Sequence, residues 1–174
     1  MSPTEALTLL SPTPVNSSNP TRWADLGCGS GLFTLALASL LQSGSTVYAV
    51  DRQPKIRPQL TPNQVSIDPV KTDFVKNALP FRDLDGILMA NSLHYVKDKP
   101  TLVRNLRTAN LRRQHALLII EYDTDRPTPV WVPYPVSFAS LQMFFHNAGY
   151  STIIRLADHP SIYHRNAIYS AYIA

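Results

Sequence analysis

Three glycines at alternate positions, Gly27, Gly29 and Gly31, constrain the fold of this 174-residue chain more than any other feature. A short apolar stretch ending at Leu26 precedes them, and a leucine-rich segment over residues 32–41 follows them. This order predicts a strand, a tight loop and a helix. Glycines let the loop adopt backbone angles forbidden to other residues and let a ligand approach the main chain. Because the helix directs free N–H groups and its positive dipole end over the loop, we predict a ligand-binding loop.

Strands and helices alternate along most of the chain. Seven strands are predicted at 22–26, 46–50, 65–67, 85–91, 116–121, 150–156 and 167–173, with helices over 32–43, 97–111 and 137–149. Three prolines between Gln53 and Pro62 argue against a full helix there, and the segment 75–83 is too short for one. Such alternation is typical of an α/β fold with a parallel sheet and helices on both faces. A short connection predicts that the last two strands pair antiparallel at one edge.

The composition indicates one domain and does not determine which partners the protein binds. Residues 11–20 have the composition of a linker, so we predict an extension over 1–20 and a single domain over 21–174. The net charge of +4 comes without a dense block of Lys and Arg, which neither indicates nor excludes nucleic acid. A single cysteine, an N-terminus without a basic leader and the lack of a long apolar stretch predict a cytoplasmic protein without membrane association.

Two acidic residues stand where a ligand over the loop would meet them. In an open α/β sheet, ligands bind beyond the carboxyl ends of the strands, where the strand order reverses. Asp51 ends the second strand, 20 residues after Gly31, and its carboxylate can accept two hydrogen bonds from a ribose diol. Asp73 and Phe74 follow the third strand and offer an acceptor for an exocyclic amine and a ring for a base. Together these residues predict an adenosine site.

The glycine spacing and a third acid restrict the rest of the ligand. The dinucleotide fingerprint is G-x-G-x-x-G, whereas this loop reads G-C-G-S-G, with Asp25 two residues before it. A carboxylate beneath the loop disfavours a pyrophosphate and suits a cationic amine. The sequence therefore favours an adenosine whose tail carries a positive group and no phosphates.

These motifs resemble those of the class I S-adenosylmethionine-dependent methyltransferase family. The similar segments are D-L-G-C-G-S-G, V-Y-A-V-D, D-F and N-S-L-H-Y, and the resemblance covers about residues 21–174. It implies a Rossmann-like doubly wound α/β sheet, mostly parallel with an antiparallel last strand, in the strand order 3-2-1-4-5-7-6. It also implies S-adenosyl-L-methionine as the cofactor and S-adenosyl-L-homocysteine as the product.

The resemblance further implies which residues bind the cofactor. Asp25 would orient the loop and the methionine ammonium, Asp51 would hold the ribose hydroxyls, and Asn91 would lie beside the amino-acid tail. The full expected set is Asp25, Gly27, Cys28, Gly29, Gly31, Asp51, Arg52, Asp73, Phe74 and Asn91. Cys28 lies near a helix N-terminus, which would lower the pKa of its thiol. We nevertheless expect Cys28 to contribute a backbone contact.

The methyl acceptor is less well determined. His94 and Tyr95, after the fourth strand, are the candidates for a catalytic base, and the expected acceptor-binding residues are His94, Tyr122, Arg126, Trp131 and Tyr134. The N-P-P-Y signature for planar amides and base amines is absent, which favours a small-molecule acceptor and leaves nucleic acid open. No metal site is expected, because His146, His159 and His164 have no partners at metal-ligand spacing.

Two alternative functions and the assembly state stay open from the sequence. In an NAD(P)-dependent oxidoreductase, Asp51 would bind the ribose and Arg52 would mark a 2′-phosphate, although the glycine spacing and Asp25 argue against it. A non-catalytic, cofactor-binding regulatory module of the same fold is the second alternative. A homo-oligomer is also compatible with the sequence.

Overall fold

The structure, a computed structural model, describes residues 1–14, 18–160 and 167–174. Its helices within these ranges are α1 (Pro3–Leu10), α2 (Leu32–Leu40), α3 (Lys99–Ala109) and α4 (Phe138–Asn147), and a short 3₁₀ turn spans Leu93–Tyr95. The strands are β1 (Arg22–Leu26), β2 (Thr46–Asp51), β3 (Gln59–Leu60), β4 (Ser66–Lys71), β5 (Leu84–Ala90), β6 (Leu111–Tyr122), β7 (Ile153–His159) and β8 (Ile168–Ile173).

These strands form one sheet in the order β3-β4-β2-β1-β5-β6-β8-β7. β1, β2, β4, β5 and β6 run parallel, β8 pairs antiparallel with β6, and β7 pairs antiparallel with β8. β3 pairs antiparallel with β4 at the opposite edge. Without the two-residue β3, this is the predicted order 3-2-1-4-5-7-6. The prediction of a Rossmann-like, mostly parallel α/β sheet is therefore confirmed.

Helices cover both faces of the sheet because successive side chains of a strand point to opposite sides. In β1, Trp23 packs in the apolar cluster that contains α1 and α2, whereas Ala24 and Leu26 pack in the cluster that contains α3 and α4. The chain runs outward from β1 through β2 to β4, and then returns to β5 on the other side of β1. The carboxyl ends of β1 and β5 therefore flank the reversal of strand order, where ligands bind in such sheets.

Two strands in the second half of the sheet, β6 and β7, differ from their predicted bounds. β6 begins at Leu111 rather than at residue 116, and α3 correspondingly ends at Ala109. Residues 112–114 are polar and exposed, so no apolar pattern marks this part of β6. β7 is shifted three residues toward the C-terminus, to Ile153–His159. The predicted turn begins near His159 and Pro160, and residues 161–166 lie outside the described residues.

The two short crossovers contain no helix within the described residues, as predicted. The proline-containing segment before β4 does form β3, which the sequence did not indicate because only two residues pair there. The segment 75–83 leaves one side of α3 uncovered. A cavity of about 570 Å³ therefore lies between residues 74–79 and α3.

The N-terminal helix α1 packs against the main core. A capping box joins Ser2 and Glu5 at its start, and Ala6, Leu9 and Leu10 are buried in the same cluster as α2. The division into an extension over 1–20 and a domain over 21–174 stays a prediction, and residues 15–17 of that extension lie outside the described residues. Among the helices that the structure describes, none combines the length and the apolar character that crossing a membrane requires.

Candidate functional site

The glycine loop connects β1 to α2 and is held against the end of β2. The backbone N–H groups of Gly27 and Cys28 both donate to the carbonyl of Val50, at 2.8 and 3.0 Å. Gly29 has a positive φ of 52°, and a Cβ placed there would meet no atom within 4 Å. The loop therefore presents open main chain at Gly29, as a cradle for a ligand requires.

The two flanking glycines are required by close packing. A Cβ on Gly27 would lie 2.5 Å from the Cβ of Ser92, and one on Gly31 would lie 2.4 Å from Cδ1 of Ile56. These contacts fix the loop against the segments that follow β5 and β2. Close packing therefore requires glycine at Gly27 and Gly31, whereas Gly29 faces open space.

Asp51 joins the loop to the end of β2. One oxygen of its carboxylate accepts a hydrogen bond from the backbone N–H of Gly29 at 3.0 Å, and the other accepts from Gln53 at 2.9 Å. Each carboxylate oxygen has a second acceptor site in addition to these bonds. The side chain is therefore oriented by the backbone and can still accept a pair of ligand hydroxyl groups.

A crevice of about 340 Å³ opens beside the loop, within the range of small-ligand sites. Six of the predicted cofactor-binding residues line it, namely Gly27, Asp51, Arg52, Asp73, Phe74 and Asn91. Val75, Lys76, Ser92 and Tyr95 complete its lining and were not predicted as cofactor-binding residues. Ser92 could have been inferred from its position after Asn91. The structure therefore gathers residues from the ends of β1, β2, β4 and β5.

Asp25 lies buried beneath the crevice rather than in its lining. The hydroxyl of Thr34 donates to one oxygen of its carboxylate at 2.6 Å, while the other oxygen is buried with no hydrogen-bond partner among the described residues. Burial, opposed by the hydrogen bond from Thr34 and assisted by the charge of Asp51, raises the pKa of Asp25 to about 7. A buried carboxylate oxygen without a partner is costly, and a cation in the crevice would satisfy it.

Cys28 differs from the expectation about its thiol. Burial, followed by the charges of Asp25 and Asp51, raises the pKa of Cys28 to about 12. The expected lowering by a helix N-terminus was therefore wrong, because loss of hydration and two carboxylates outweigh the helix dipole. The thiolate is disfavoured, so Cys28 contributes packing and its backbone N–H.

A second cavity, of about 430 Å³, adjoins the crevice. Its lining consists of Asn91, His94, Tyr95, Tyr122, Thr128, Trp131 and Val132. Asn91 and Tyr95 belong to the linings of both spaces. Asn91 has a positive φ of 53°, and its buried side-chain oxygen has no hydrogen-bond partner in the described part of the chain. The wall between the two spaces therefore carries an unsatisfied acceptor.

The predicted acceptor-binding residues divide into two groups. His94, Tyr122 and Trp131 line the second cavity. Arg126 is exposed and lies outside its lining, and Tyr134 is also outside it. The backbone of Tyr134 instead bonds to the carbonyl of His94 and to the side chain of Lys99. Trp131 differs from Tyr134 because a short bridge between Thr128 and Val132 holds it at the tip of its loop.

His94 and Glu121 form a buried pair at the base of the second cavity. The Nδ1 atom of His94 lies 2.6 Å from Oε2 of Glu121, and the backbone N–H of His94 donates to Oε1 at 3.1 Å. Both side chains are at most 3% exposed. Glu121 is the penultimate residue of β6 and His94 lies in the 3₁₀ turn after β5, so parallel pairing of these strands brings them together.

In the described ranges, no three His, Cys, Asp or Glu side chains gather closely enough to hold a metal ion. His164, one of the histidines considered from the sequence, lies outside those ranges. The expectation of a metal-free site stays a prediction.

Comparison with known protein families identifies the fold and its activity. A family model described as a methyltransferase domain matches residues 24–113, which is just over half of the chain. The chain belongs to the methyltransferase-domain family. It is thus an S-adenosylmethionine-dependent methyltransferase of class I, as the sequence predicted, and the oxidoreductase alternative is set aside. No curated protein gives a significant match to this methyltransferase.

Solved structures show the same fold at low sequence identity. The methyltransferase is 17% identical to a SAM-dependent methyltransferase from Aquifex aeolicus (TM-score 0.64), with 99% of this chain and 98% of that chain covered. A Nostoc punctiforme protein is 20% identical (TM-score 0.62), and the match covers 97% of this chain but spans only 56% of that protein. The N-terminal domain of EvdMO1, crystallised with SAH bound, is 18% identical (TM-score 0.61; 99% and 79% covered).

The site has features that fit the cofactor of this methyltransferase family. S-adenosylmethionine carries an electrophilic methyl group on a sulfonium and an α-ammonium on its tail. The buried, unpaired oxygens of Asp25 and Asn91 are acceptors in need of a cationic or N–H partner. The open face at Gly29 and the oriented carboxylate of Asp51 lie beside them.

Proposed function

We propose that the enzyme transfers the methyl group to a small, uncharged, planar acceptor that binds in the second cavity. The observation that carries this proposal is the wall shared by the two spaces. Asn91 and Tyr95 line both the crevice and the second cavity, so ligands in the two spaces lie side by side. Methyl transfer requires such adjacency, because alignment alone can supply about 7–11 kcal/mol of the barrier reduction.

The charge of the cavity supports an uncharged acceptor. Among the residues that the structure describes, the seven that line the cavity include no Lys, Arg, Asp or Glu. A carboxylate or phosphate on the acceptor would lose its hydration without gaining a counter-charge, which is strongly unfavourable. The volume of about 430 Å³ suits a small molecule.

The shape of the lining supports a planar acceptor. Tyr95, Tyr122 and Trp131 surround the cavity with aromatic rings, and Trp131 is 72% exposed. Such rings stabilise a flat ligand by stacking, by about 0.5–1.5 kcal/mol for each ring beyond simple burial. His94, Asn91 and Thr128 supply the polar groups that can orient an O–H or N–H group.

The individual residue roles in the crevice are part of the same proposal. Asp51 would hold the ribose hydroxyls, Asp73 and Phe74 would contact the adenine, and Asp25 and Asn91 would accept from the tail. Arg52 lines the outer part of the crevice, while Gly27, Cys28, Gly29 and Gly31 supply the loop. We also propose a small-molecule partner and a cytoplasmic location. A measurement of the molecular mass in solution would test for a homo-oligomer.

The test compares acceptors that differ only in charge. Purified enzyme and isotopically methyl-labelled S-adenosylmethionine are incubated with para-cresol, with para-hydroxybenzoate and with a single-stranded oligonucleotide. We expect labelled product from para-cresol, and a kcat/KM at least about tenfold lower for the carboxylated ring. Preferential labelling of the oligonucleotide or of the carboxylate would overturn the acceptor class. Binding of S-adenosylhomocysteine without transfer to any compound in a broad acceptor screen would instead favour the regulatory alternative.

A further inference from the structure

We infer that His94 is the base that removes the acceptor's proton, and that Glu121 is the residue that positions it. This inference rests on the proposed function, because it requires a protic acceptor in the second cavity. The relevant feature is the different environment of the two nitrogens of the His94 ring.

One ring nitrogen is held by the protein. Nδ1 lies 2.6 Å from Oε2 of Glu121, and the ring is buried at the cavity wall. Because an ionised carboxylate only accepts hydrogen bonds, this contact places the ring proton on Nδ1. In the part of the chain that the structure describes, Nε2 has no hydrogen-bond partner. A histidine with only a structural role would normally have both nitrogens satisfied in a buried position.

Glu121 is available to balance a positive charge on His94, because the neighbouring polar groups have other partners. From α3, Lys99 interacts electrostatically with Glu121, and its ammonium donates to the carbonyls of Val96 and Tyr134. From β8, the hydroxyl of Tyr169 donates to the carbonyl of Val136. Within the described residues, neither side chain hydrogen-bonds to Glu121, whereas Nδ1 of His94 does. Protonation of His94 would therefore complete a buried ion pair.

The other rings around His94 belong to the cavity. The ring of Tyr95, from the same turn, lies 4.3 Å from that of His94, and the ring of Tyr122, from β6, lies 6.2 Å away. These centroid distances leave His94 bordered by aromatic faces and by the open volume of the cavity. An acceptor stacked on these rings would bring its O–H or N–H group to the histidine.

Nε2 of His94 takes the proton while the acceptor heteroatom forms a bond to the methyl carbon. The bond between that carbon and sulfur breaks, and its electron pair stays on sulfur. The products are the methylated acceptor, a neutral thioether and a His94 imidazolium paired with Glu121, which then releases its proton to water. A positioned base of this kind contributes about 10²–10⁴-fold to the rate.

The geometry also predicts what Glu121→Gln would do. Oε1 must remain an acceptor, because the backbone N–H of His94 donates to it. The amide NH₂ of the glutamine would then face Nδ1 and donate to it, which moves the ring proton to Nε2. The variant would keep the shape of the pair but present a donor where the reaction needs an acceptor.

The first test reads the ring proton directly and needs no acceptor. Nitrogen NMR of histidine-labelled enzyme with S-adenosylhomocysteine, at about pH 8, should show His94 protonated on Nδ1 only. Glu121→Gln should invert this, with the proton on Nε2. A wild-type signal protonated on Nε2, or a tautomer that does not respond to Glu121→Gln, would overturn the inference.

The second test follows turnover of para-cresol. His94→Gln and Glu121→Gln should each lower kcat by at least about 10²-fold, with the dissociation constant of S-adenosylhomocysteine within about twofold of wild type. His115→Gln is the matched control and should leave both values unchanged, because His115 lies in the first half of β6 and lines neither the crevice nor the second cavity. Turnover that survives His94→Gln would contradict the base. If the wild-type enzyme methylates no uncharged phenol, the acceptor class is wrong, and the NMR result still decides the role of His94.

Discussion

Asp25 is the residue at which the requirements of folding and of ligand binding conflict. Its carboxylate is fully buried, and only one of its oxygens has a partner, the hydroxyl of Thr34. Folding favours the protonated form of such a group, whereas a ligand ammonium favours the ionised form. Two measurements with opposite pH dependences should therefore report on the same side chain.

The stability of the ligand-free protein should fall as Asp25 ionises. Burial raises the pKa of Asp25 from 3.8 to about 7, so the folded state retains a proton that the unfolded state has already released. The contribution of this group to the free energy of unfolding is complete below about pH 4 and is lost as the pH rises through 7. Urea denaturation across this pH range measures the free energy of unfolding, and the Asp25→Asn variant should not show this decrease with pH. If the free energy of unfolding had the same pH dependence in the two proteins, the pKa of Asp25 would be the same in the folded and unfolded states, which would contradict the prediction.

Affinity for S-adenosylhomocysteine should change in the opposite direction. If only the ionised Asp25 binds the ammonium, the apparent affinity scales with the ionised fraction and rises by up to about tenfold per pH unit below 7. Titration calorimetry on either side of this pH measures it. Asp25→Asn should bind weakly at both pH values, and a wild-type affinity that does not change with pH would argue against the contact.

Trp131 and Tyr134 give a matched pair of aromatic residues on one loop. Trp131 lines the second cavity and Tyr134 does not. Trp131→Ala should therefore raise the KM of para-cresol by about tenfold through loss of stacking, whereas Tyr134→Ala should leave it near the wild-type value. Neither change should alter the dissociation constant of S-adenosylhomocysteine. Equal effects of both substitutions on KM would mean that the loop as a whole, rather than the Trp131 ring, affects the acceptor.

Within the elements, the junction of β1 and β5 depends on one glycine. A Cβ on Gly86 would lie 2.3 Å from the ring of Trp23, while the backbone at Gly86 does not adopt a positive φ. A strand glycine replaced by alanine normally gains stability. Here Gly86→Ala should instead lower the free energy of unfolding by about 1–3 kcal/mol through overpacking. In a Trp23→Leu background the same change should cost less, and denaturant titrations of all four proteins measure the coupling. Equal costs in both backgrounds would exclude the clash as the cause.

The elements that the sequence predicted well are those with a strong local pattern. One example is the loop from Gly27 to Gly31 with the helix after it. Its glycine spacing, followed by an apolar run, is typical of few other structures. The start of β6 was missed because residues 112–114 are polar and exposed, although Leu111 before them already pairs with Leu84 of β5. β3 was missed because two residues carry no periodicity.

The candidate site could be predicted in part for a similar reason. Residues at strand ends, such as Asp51 and Asn91, meet wherever parallel strands lie side by side, so their order along the chain is informative. The loop after β6 has no such constraint. Its pairing between Thr128 and Val132 turns Trp131 toward the cavity and leaves Arg126 outside it, and only three-dimensional packing determines this.

At the scale of the whole molecule, α1 closes the face of the sheet that α2 alone does not cover. Leu9 and Leu10 are at most 1% exposed and share a core with Trp23. Leu9→Ala should therefore lower the free energy of unfolding by about 2–5 kcal/mol. Thr8→Ala, at an exposed position of the same helix, should change it by less than about 0.5 kcal/mol. Similar small effects at both positions would indicate an extension that is independent of the core.

The two cavities and the buried pair form one continuous arrangement at the carboxyl ends of the parallel strands. The crevice lies over β1 and β2, the second cavity lies over β5 and β6, and Asn91 stands between them. Under the proposed function, the sheet would hold the cofactor on one side of the strand-order reversal and the acceptor on the other. Every functional proposal made for this enzyme depends on the cofactor occupying the first of these spaces.

The most direct test of that claim is calorimetric titration with S-adenosylhomocysteine and, separately, with NADH. We expect wild-type enzyme to bind S-adenosylhomocysteine in preference to NADH. Asp51→Ala should weaken S-adenosylhomocysteine binding well beyond about tenfold, because it leaves a ribose diol unpaired in the crevice. A preference for NADH, or a dissociation constant unchanged by Asp51→Ala, would contradict the account.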